Sequence, residues 1–181
     1  MLTISLLFTS CFGQGNKEYA RINHKIEELK KNRTALINER KALPFKLVSN
    51  MGDSISLENY KGKYLLLYFW ASWCPTCTKI NKRLIPIYDE MKPLGLEILG
   101  ISLDRKEASW KKALTKRKYG WSQVRDFKGI DSDLATNYGV QYVPNLVLVD
   151  PTGRIVQIYN ESSIDKLKDD LPELVGQAKD E

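Results

Sequence analysis

The sequence predicts an α/β domain built around a mixed, largely buried sheet. Three observations lead there. Two near-continuous apolar runs, YLLLYFW (64–70) and LEILGISLD (96–104), suit strands covered on both faces. Each is followed by a charged segment whose apolar residues recur at spacings of three and four, the pattern of an amphipathic helix. Further on, NLVLVD, PTG and RIVQIYN read as a strand, a turn and an antiparallel partner. Strand–helix alternation closed by a hairpin gives a sheet with both parallel and antiparallel neighbours, flanked by helices.

The elements follow in chain order. Residues 1–15, MLTISLLFTSCFGQG, form a short apolar run, then small and polar residues, with no charge before Lys17. This reads as an export segment; a bilayer span takes about 20 apolar residues and the run is far shorter. Two processing sites stay open. FTSC resembles the lipobox of bacterial lipoproteins, which makes Cys11 the lipidated first residue of the mature chain. CFG before Gln14 offers small residues to an ordinary signal peptidase, which discards Cys11. Either way the expected location is extracytoplasmic, in a bacterial periplasm, with a lipid anchor if Cys11 is used.

Residues 16–42 are charged and helical in pattern, with Tyr19, Ile22, Ile26, Leu29, Leu36 and Ile37 on one stripe that Arg33 interrupts. A stripe this short suits a docking helix or a stalk better than a coiled coil. His24, the one histidine, sits among charges and reads as a solvated surface residue.

Pro44 marks the boundary to the main domain, residues 43–181. FKLVSNMGDSISL alternates apolar and polar residues around NMGD, a hairpin signal. After YLLLYFW, the segment PTCTKINKRLIPIYDEMKPLG places Ile80, Leu84, Ile87, Tyr88 and Met91 on one helical face, with Pro86 inside and a kink expected there. KEASWKKALTKRKYG turns Trp110 and Leu114 inward, DSDLATNYGV is a shorter helix capped by Asp or Ser and closed by Gly139, and SSIDKLKDDLPELVGQ ends the set as a helix.

Composition narrows the function classes. With 181 residues, 43% hydrophobic and 28% charged, the chain suffices for one domain with appendages. Three cysteines are too few for a disulfide-scaffolded mini-protein. The net charge of +6 is spread among acidic residues, which describes a solvated mixed surface and no nucleic-acid face.

The chemistry concentrates in WASWCPTC, Trp70 to Cys77. Structural zinc needs four ligands, and only Cys11 and His24 stand beyond this pair, so no metal is expected. A disulfide across so short a loop constrains the unfolded chain little, which argues against a purely structural role. Position argues for a catalytic one, since the pair follows a buried strand and opens a helix. With Cys74 as N-cap, Pro75 is N1, Thr76 N2 and Cys77 N3. The free N–H groups of N2 and N3 and the helix dipole favour a thiolate at Cys74. Proline at N1 costs nothing. Cys77 falls on the same face within bridging reach. Cys74 is therefore the attacking nucleophile and Cys77 the resolving thiol.

At this point a family is recognisable. WASWCPTC behind a buried strand, with YVPN far downstream before another, resembles the thioredoxin fold. The longer frame, roughly Leu43 to Leu174, is similar to the extracytoplasmic TlpA/ResA-type branch close to the AhpC/TSA-like redoxins. The resemblance implies a cis peptide at Pro144 packed beside the cysteines, with Val143 offering backbone groups to an incoming peptide. Trp73, Pro75, Thr76, Val143 and Pro144 become the expected substrate-contacting residues, with Trp70 in the core. It implies no cofactor, protein thiols and disulfides as substrates, and a membrane thiol transporter as electron donor. The sequence also departs from its relatives. Tyr68 stands where thioredoxins carry a buried aspartate, Ile80 where ResA-like proteins carry a glutamate, and Asn145 where threonine is common after the proline. Cys77 is left without an obvious internal base.

Two other functions compete. A peroxiredoxin-like peroxidase shares the frame and a CPT string, but it carries threonine or serine three positions before its peroxidatic cysteine, where this chain has Ala71. A non-catalytic interaction module would use the N-terminal helix and has no need of both cysteines. The expected activity is thiol–disulfide exchange, with reductase or isomerase favoured by the resemblance alone. Substrate and oligomeric state are not legible.

Overall fold

The computed structural model describes residues 18–28, 40–117 and 119–177. The chain divides into two units, Met1–Glu39 and Arg40–Glu181. In the first, residues 18–28 form helix α1, on which Tyr19, Ile22, His24 and Ile26 are all exposed. Cys11, Leu29, Arg33, Leu36 and Ile37 lie outside the described residues.

Residues 40–42, expected to be helical, are not. The Arg40 carbonyl accepts from the Ile155 N–H (2.9 Å), Lys41 bridges antiparallel to Arg154, and the Ala42 N–H donates to the Gly153 carbonyl (2.8 Å). These residues belong to the second unit, and their pairing with residues 153–155 outweighs the local helical pattern there.

The second unit holds a two-stranded hairpin and a five-stranded sheet. Strands β1 (Lys46–Val48) and β2 (Ser54–Ser56) pair antiparallel around the NMGD turn. The sheet comprises β3 (Tyr64–Trp70), β4 (Leu96–Ser102), β5 (Ser122–Arg125), β6 (Asn145–Val149) and β7 (Ile155–Tyr159), in the order β5-β4-β3-β6-β7. β3 runs parallel to β4 and antiparallel to β6, so the sheet is mixed. Strand β5 is absent from the sequence reading. SQVR offers one aliphatic residue, Val124, and its other inward position is filled by the buried polar Gln123.

Every residue of β3 is buried, and its side chains alternate between two cores. Tyr64, Leu66, Tyr68 and Trp70 meet helix α2 (Pro75–Met91), helix α3 (Glu107–Lys116) and helix α5 (Leu167–Gln177) through Ile80, Leu84, Trp110 and Leu171. Leu65, Leu67 and Phe69 meet the other face, where helix α4 (Asp133–Asn137) supplies Ala135 and Tyr138 and Val140 follow. Burying each large apolar side chain of β3 contributes about 1.5–3 kcal/mol relative to exposure.

The helical face read from α2 is the buried one: Ile80, Leu84, Ile87, Tyr88 and Met91 all point inward. The helix continues through Pro86, which lies on the exposed side, where water can satisfy the carbonyl that has lost its donor. Helix α4 is capped by Ser132, whose Oγ accepts from the Ala135 N–H (3.0 Å), and Gly139 closes it at φ +69, a conformation that favours glycine.

Candidate active site

The central strand delivers the chain to the site. β3 ends at Trp70, and a tight turn follows in which the Cys74 N–H donates to the Ala71 carbonyl at 3.3 Å. Helix α2 then begins with Pro75 at N1, and Cys74 is its N-cap. The Cys74 Sγ accepts from the Cys77 N–H at 3.0 Å. This is the donor that the sequence places at N3, and it lowers the cost of negative charge on that sulfur.

Cys74 and Cys77 are joined as a disulfide, with Cα atoms 5.3 Å apart, within the usual range for bridged cysteines. The two sulfurs are not equally reachable. Cys74 keeps 4% of its surface exposed while Cys77 is at 0%. An attacking thiolate therefore has access on the Cys74 side alone.

The Val143–Pro144 peptide is cis, and the Val143 carbonyl oxygen lies 3.7 Å from the Cys74 Sγ. Val143, Pro144 and Thr76 line an open groove of about 420 Å³ together with Tyr142 and Glu161. Trp73, 65% exposed, and the exposed Pro75 stand beside Cys74 without lining that groove.

Beneath the turn, Trp70 is fixed on several sides. Its Nε1–H donates to the Gln123 Oε1 at 3.0 Å, the Tyr119 ring packs at 5.0 Å, and the Arg117 guanidinium lies 5.5 Å from the indole centroid. Gly100 makes room for the Gln123 amide, because a Cβ on β4 at that point would run into it. Burial pushes the Tyr119 hydroxyl up to about 12 despite the opposing charge of the nearby Arg117.

Tyr68 answers part of the question raised by the missing acids. Its hydroxyl donates to the Cys77 carbonyl at 2.8 Å, and burial drives its pKa upward, so it is a neutral donor that ties β3 to α2. Ile80 is fully buried in the core.

The sequence reading did not single out Asp104, Ser102, Ser72 or Arg117. Asp104 follows β4 and accepts from the Ser72 N–H (2.9 Å) and the Ser72 hydroxyl (2.7 Å), so it grips the turn that carries Cys74. The available signal was an aspartate closing an apolar run, since the C-terminal ends of parallel strands are where sites gather.

Comparison with known proteins places this arrangement. The model of the AhpC/TSA family matches residues 39–158, and the chain belongs to that family. Human nucleoredoxin is 30% identical over 119 residues, 65% of this chain but 27% of the relative, so the chain spans about a quarter of the nucleoredoxins it matches. The thiol-disulfide oxidoreductase ResA of Halalkalibacterium halodurans is 26% identical over 134 residues, 74% of each chain. Among solved structures, the thioredoxin domain of a thiol-disulfide oxidoreductase from Bacteroides vulgatus is similar at a TM-score of 0.69 and 34% identity, covering 76% of this chain and 97% of that one. A thiol-disulfide oxidoreductase from Bacteroides fragilis is similar at 0.65 and 36%, covering 72% and 98%. The domain thus has the thioredoxin-like fold, with the Cys74–Cys77 disulfide at the start of α2.

Proposed function

We propose that this AhpC/TSA-family chain exchanges disulfides with proteins outside the cytoplasm, as a reductase or isomerase. The observation that carries the reading is the Cys74 sulfur at a helix N-cap, 3.0 Å from the Cys77 N–H and more exposed than its partner. The relatives named as thiol-disulfide oxidoreductases support it.

In the reduced form the Cys74 thiolate attacks a client disulfide. A bond forms between the Cys74 Sγ and one client sulfur, the client S–S bond breaks, and the second client sulfur leaves as a thiolate. The Cys77 thiolate then attacks the Cys74 Sγ, closes the internal disulfide and expels the first client sulfur. Two electrons have passed to the client, and a dithiol donor must return them. For a chain outside the cytoplasm that donor is a membrane thiol transporter. In the isomerase mode a client thiol resolves the mixed disulfide, and the pair ends as it began.

Val143 and Pro144 would receive the client backbone, with Thr76 on the same groove and Trp73 and Pro75 at its approach. Export rests on residues 1–15, and anchoring on lipidation of Cys11. The N-terminal segment before Arg40, helical at residues 18–28, would serve as the spacer or docking element ahead of the domain.

The deciding measurement is the reduction potential of the Cys74–Cys77 pair against glutathione buffers, paired with trapping by Cys77→Ser. A value near the reducing end of the fold's span of roughly −270 to −120 mV, and trapped mixed disulfides with exported proteins, are expected. A value at the oxidising end reverses the direction. Absence of any exchange or trapped client removes the reading, and peroxide consumption at Cys74 would replace it with the peroxidase alternative.

A further inference from the structure

The turn Ala71–Cys74 is held from two sides by charged groups that belong to other elements. Asp104 is 2% exposed, just past β4. Its Oδ2 accepts from the Ser72 N–H (2.9 Å) and the Ser102 hydroxyl (2.8 Å), and its Oδ1 accepts from the Ser72 hydroxyl (2.7 Å). Its own N–H donates to the Ser102 Oγ (3.1 Å), which fixes the carboxylate in turn. From the other side Arg117, at the end of α3, donates to the Ser72 carbonyl (3.0 Å) and the Ala71 carbonyl (3.5 Å) while covering the Trp70 indole. The N–H, hydroxyl and carbonyl of Ser72 are therefore all engaged, and Trp73 alone separates this anchored residue from Cys74.

In the oxidised state the S–S bond itself fixes the Cys74 sulfur. Reduction removes that tether: two electrons and two protons enter, the S–S bond breaks and two thiols form. The sulfur then stays above the Cys77 N–H only if the turn keeps its shape. Bonds to ionised groups are stronger than those between neutral ones, so this pair suits the task. We propose that Asp104 and Arg117 are positioning residues for exchange, a clamp that holds Cys74 in attacking geometry while the disulfide is open. This rests on the exchange activity proposed above.

The test compares full-length Asp104→Asn, Asp104→Ala and Arg117→Ala with the wild type. Arg105→Ala serves as control, since it removes an exposed ion pair with Asp131 and no bond to the Ala71–Cys74 turn. Two readouts are taken: the single-turnover rate of exchange with a disulfide-bonded peptide, and the pH profile of Cys74 alkylation by iodoacetamide in the reduced protein. Misplacing a reacting atom by about 1 Å can cost up to about a hundredfold in rate, so a loss of about tenfold or more is expected for Asp104→Ala and Arg117→Ala. Their alkylation profiles should move to higher pH as the sulfur leaves the helix N-terminus. Asp104→Asn keeps an oxygen acceptor for Ser72 and should recover most of the rate, and Arg105→Ala should match the wild type. Thermal melts of the oxidised forms establish folding; if Asp104→Ala does not fold, the half-buried Arg117 decides. Folded clamp variants that exchange at the wild-type rate with an unmoved profile overturn the inference, whatever their stability. A wild-type protein that exchanges no faster than free dithiol overturns the proposed function instead.

Discussion

Two turns at opposite ends of the central sheet are each organised by a buried aspartate, and they differ in where the partners come from. Leu65 pairs with Val149 and Phe69 with Asn145, so the turn after β6 lies at the far end of β3 from the cysteines. There Asp150 serves its own turn. Its Oδ1 accepts from the Thr152 N–H (2.9 Å), the Thr152 hydroxyl (2.7 Å) and the Arg154 N–H (2.9 Å), and its Oδ2 accepts from the Arg154 Nε–H (3.1 Å). Asp104 instead serves a turn 32 residues away in sequence. The first arrangement builds a hairpin. The second ties the position of the disulfide-bonded Cys74 to a neighbouring strand, so that the turn is only as well shaped as the folded sheet behind it.

The comparison can be broken or sharpened experimentally. The largest effect is expected from Cys74→Ser, which should reduce turbidimetric insulin reduction to the uncatalysed rate; rapid residual exchange would place the nucleophile elsewhere. Leu66→Ala comes next. It opens the fully buried centre of β3, which leads into the first turn and pairs with the strand before the second, and should destabilise the domain by about 2–5 kcal/mol in urea titrations. Asp150→Ala should cost about 1–3 kcal/mol by leaving the donors of its turn unsatisfied, with the exchange rate unchanged within about twofold. A loss of exchange there would erase the contrast between the two ends. Gly153 has φ +86 in the same turn, so Gly153→Ala should cost about 1 kcal/mol, again without touching exchange.

The smallest effect is a pH dependence. Burial raises the Asp150 pKa, but the bonds from Thr152 and Arg154 outweigh it and hold the carboxyl below its ordinary value. A depressed folded-state pKa contributes stability above the unfolded pKa of about 3.9, and this is lost as pH falls through the folded value. Asp150→Asn should therefore show a flatter loss of stability below about pH 4 than the wild type in acid-unfolding curves.

The same contrast explains what could be read from the chain. The hairpin turn was legible because Asp-Pro-Thr-Gly-Arg carries its own turn chemistry. The fully apolar YLLLYFW and the three-residue spacing of the cysteines were likewise local signals, and β3, the N-cap and the disulfide followed from them. Long-range pairings left no such mark. Strand β5 was missed because its backbone partner is β4 and its inward Gln123 is explained only by Trp70 and the gap at Gly100. Asp104 was passed over because its partner Ser72 stands on another element. Residues 40–42 were read as helix because nothing nearby announces Arg154 and Gly153.

The unequal reach of the two sulfurs also bears on chemical damage. A peroxide or other thiol oxidant would meet Cys74 first and convert it to a sulfenic acid. Cys77, shielded but within bonding distance, can condense with that product, releasing water and restoring the disulfide. The oxidant is thereby diverted into a state the next dithiol repairs, before irreversible sulfinic acid can form. Shelter for one sulfur becomes insurance for the other.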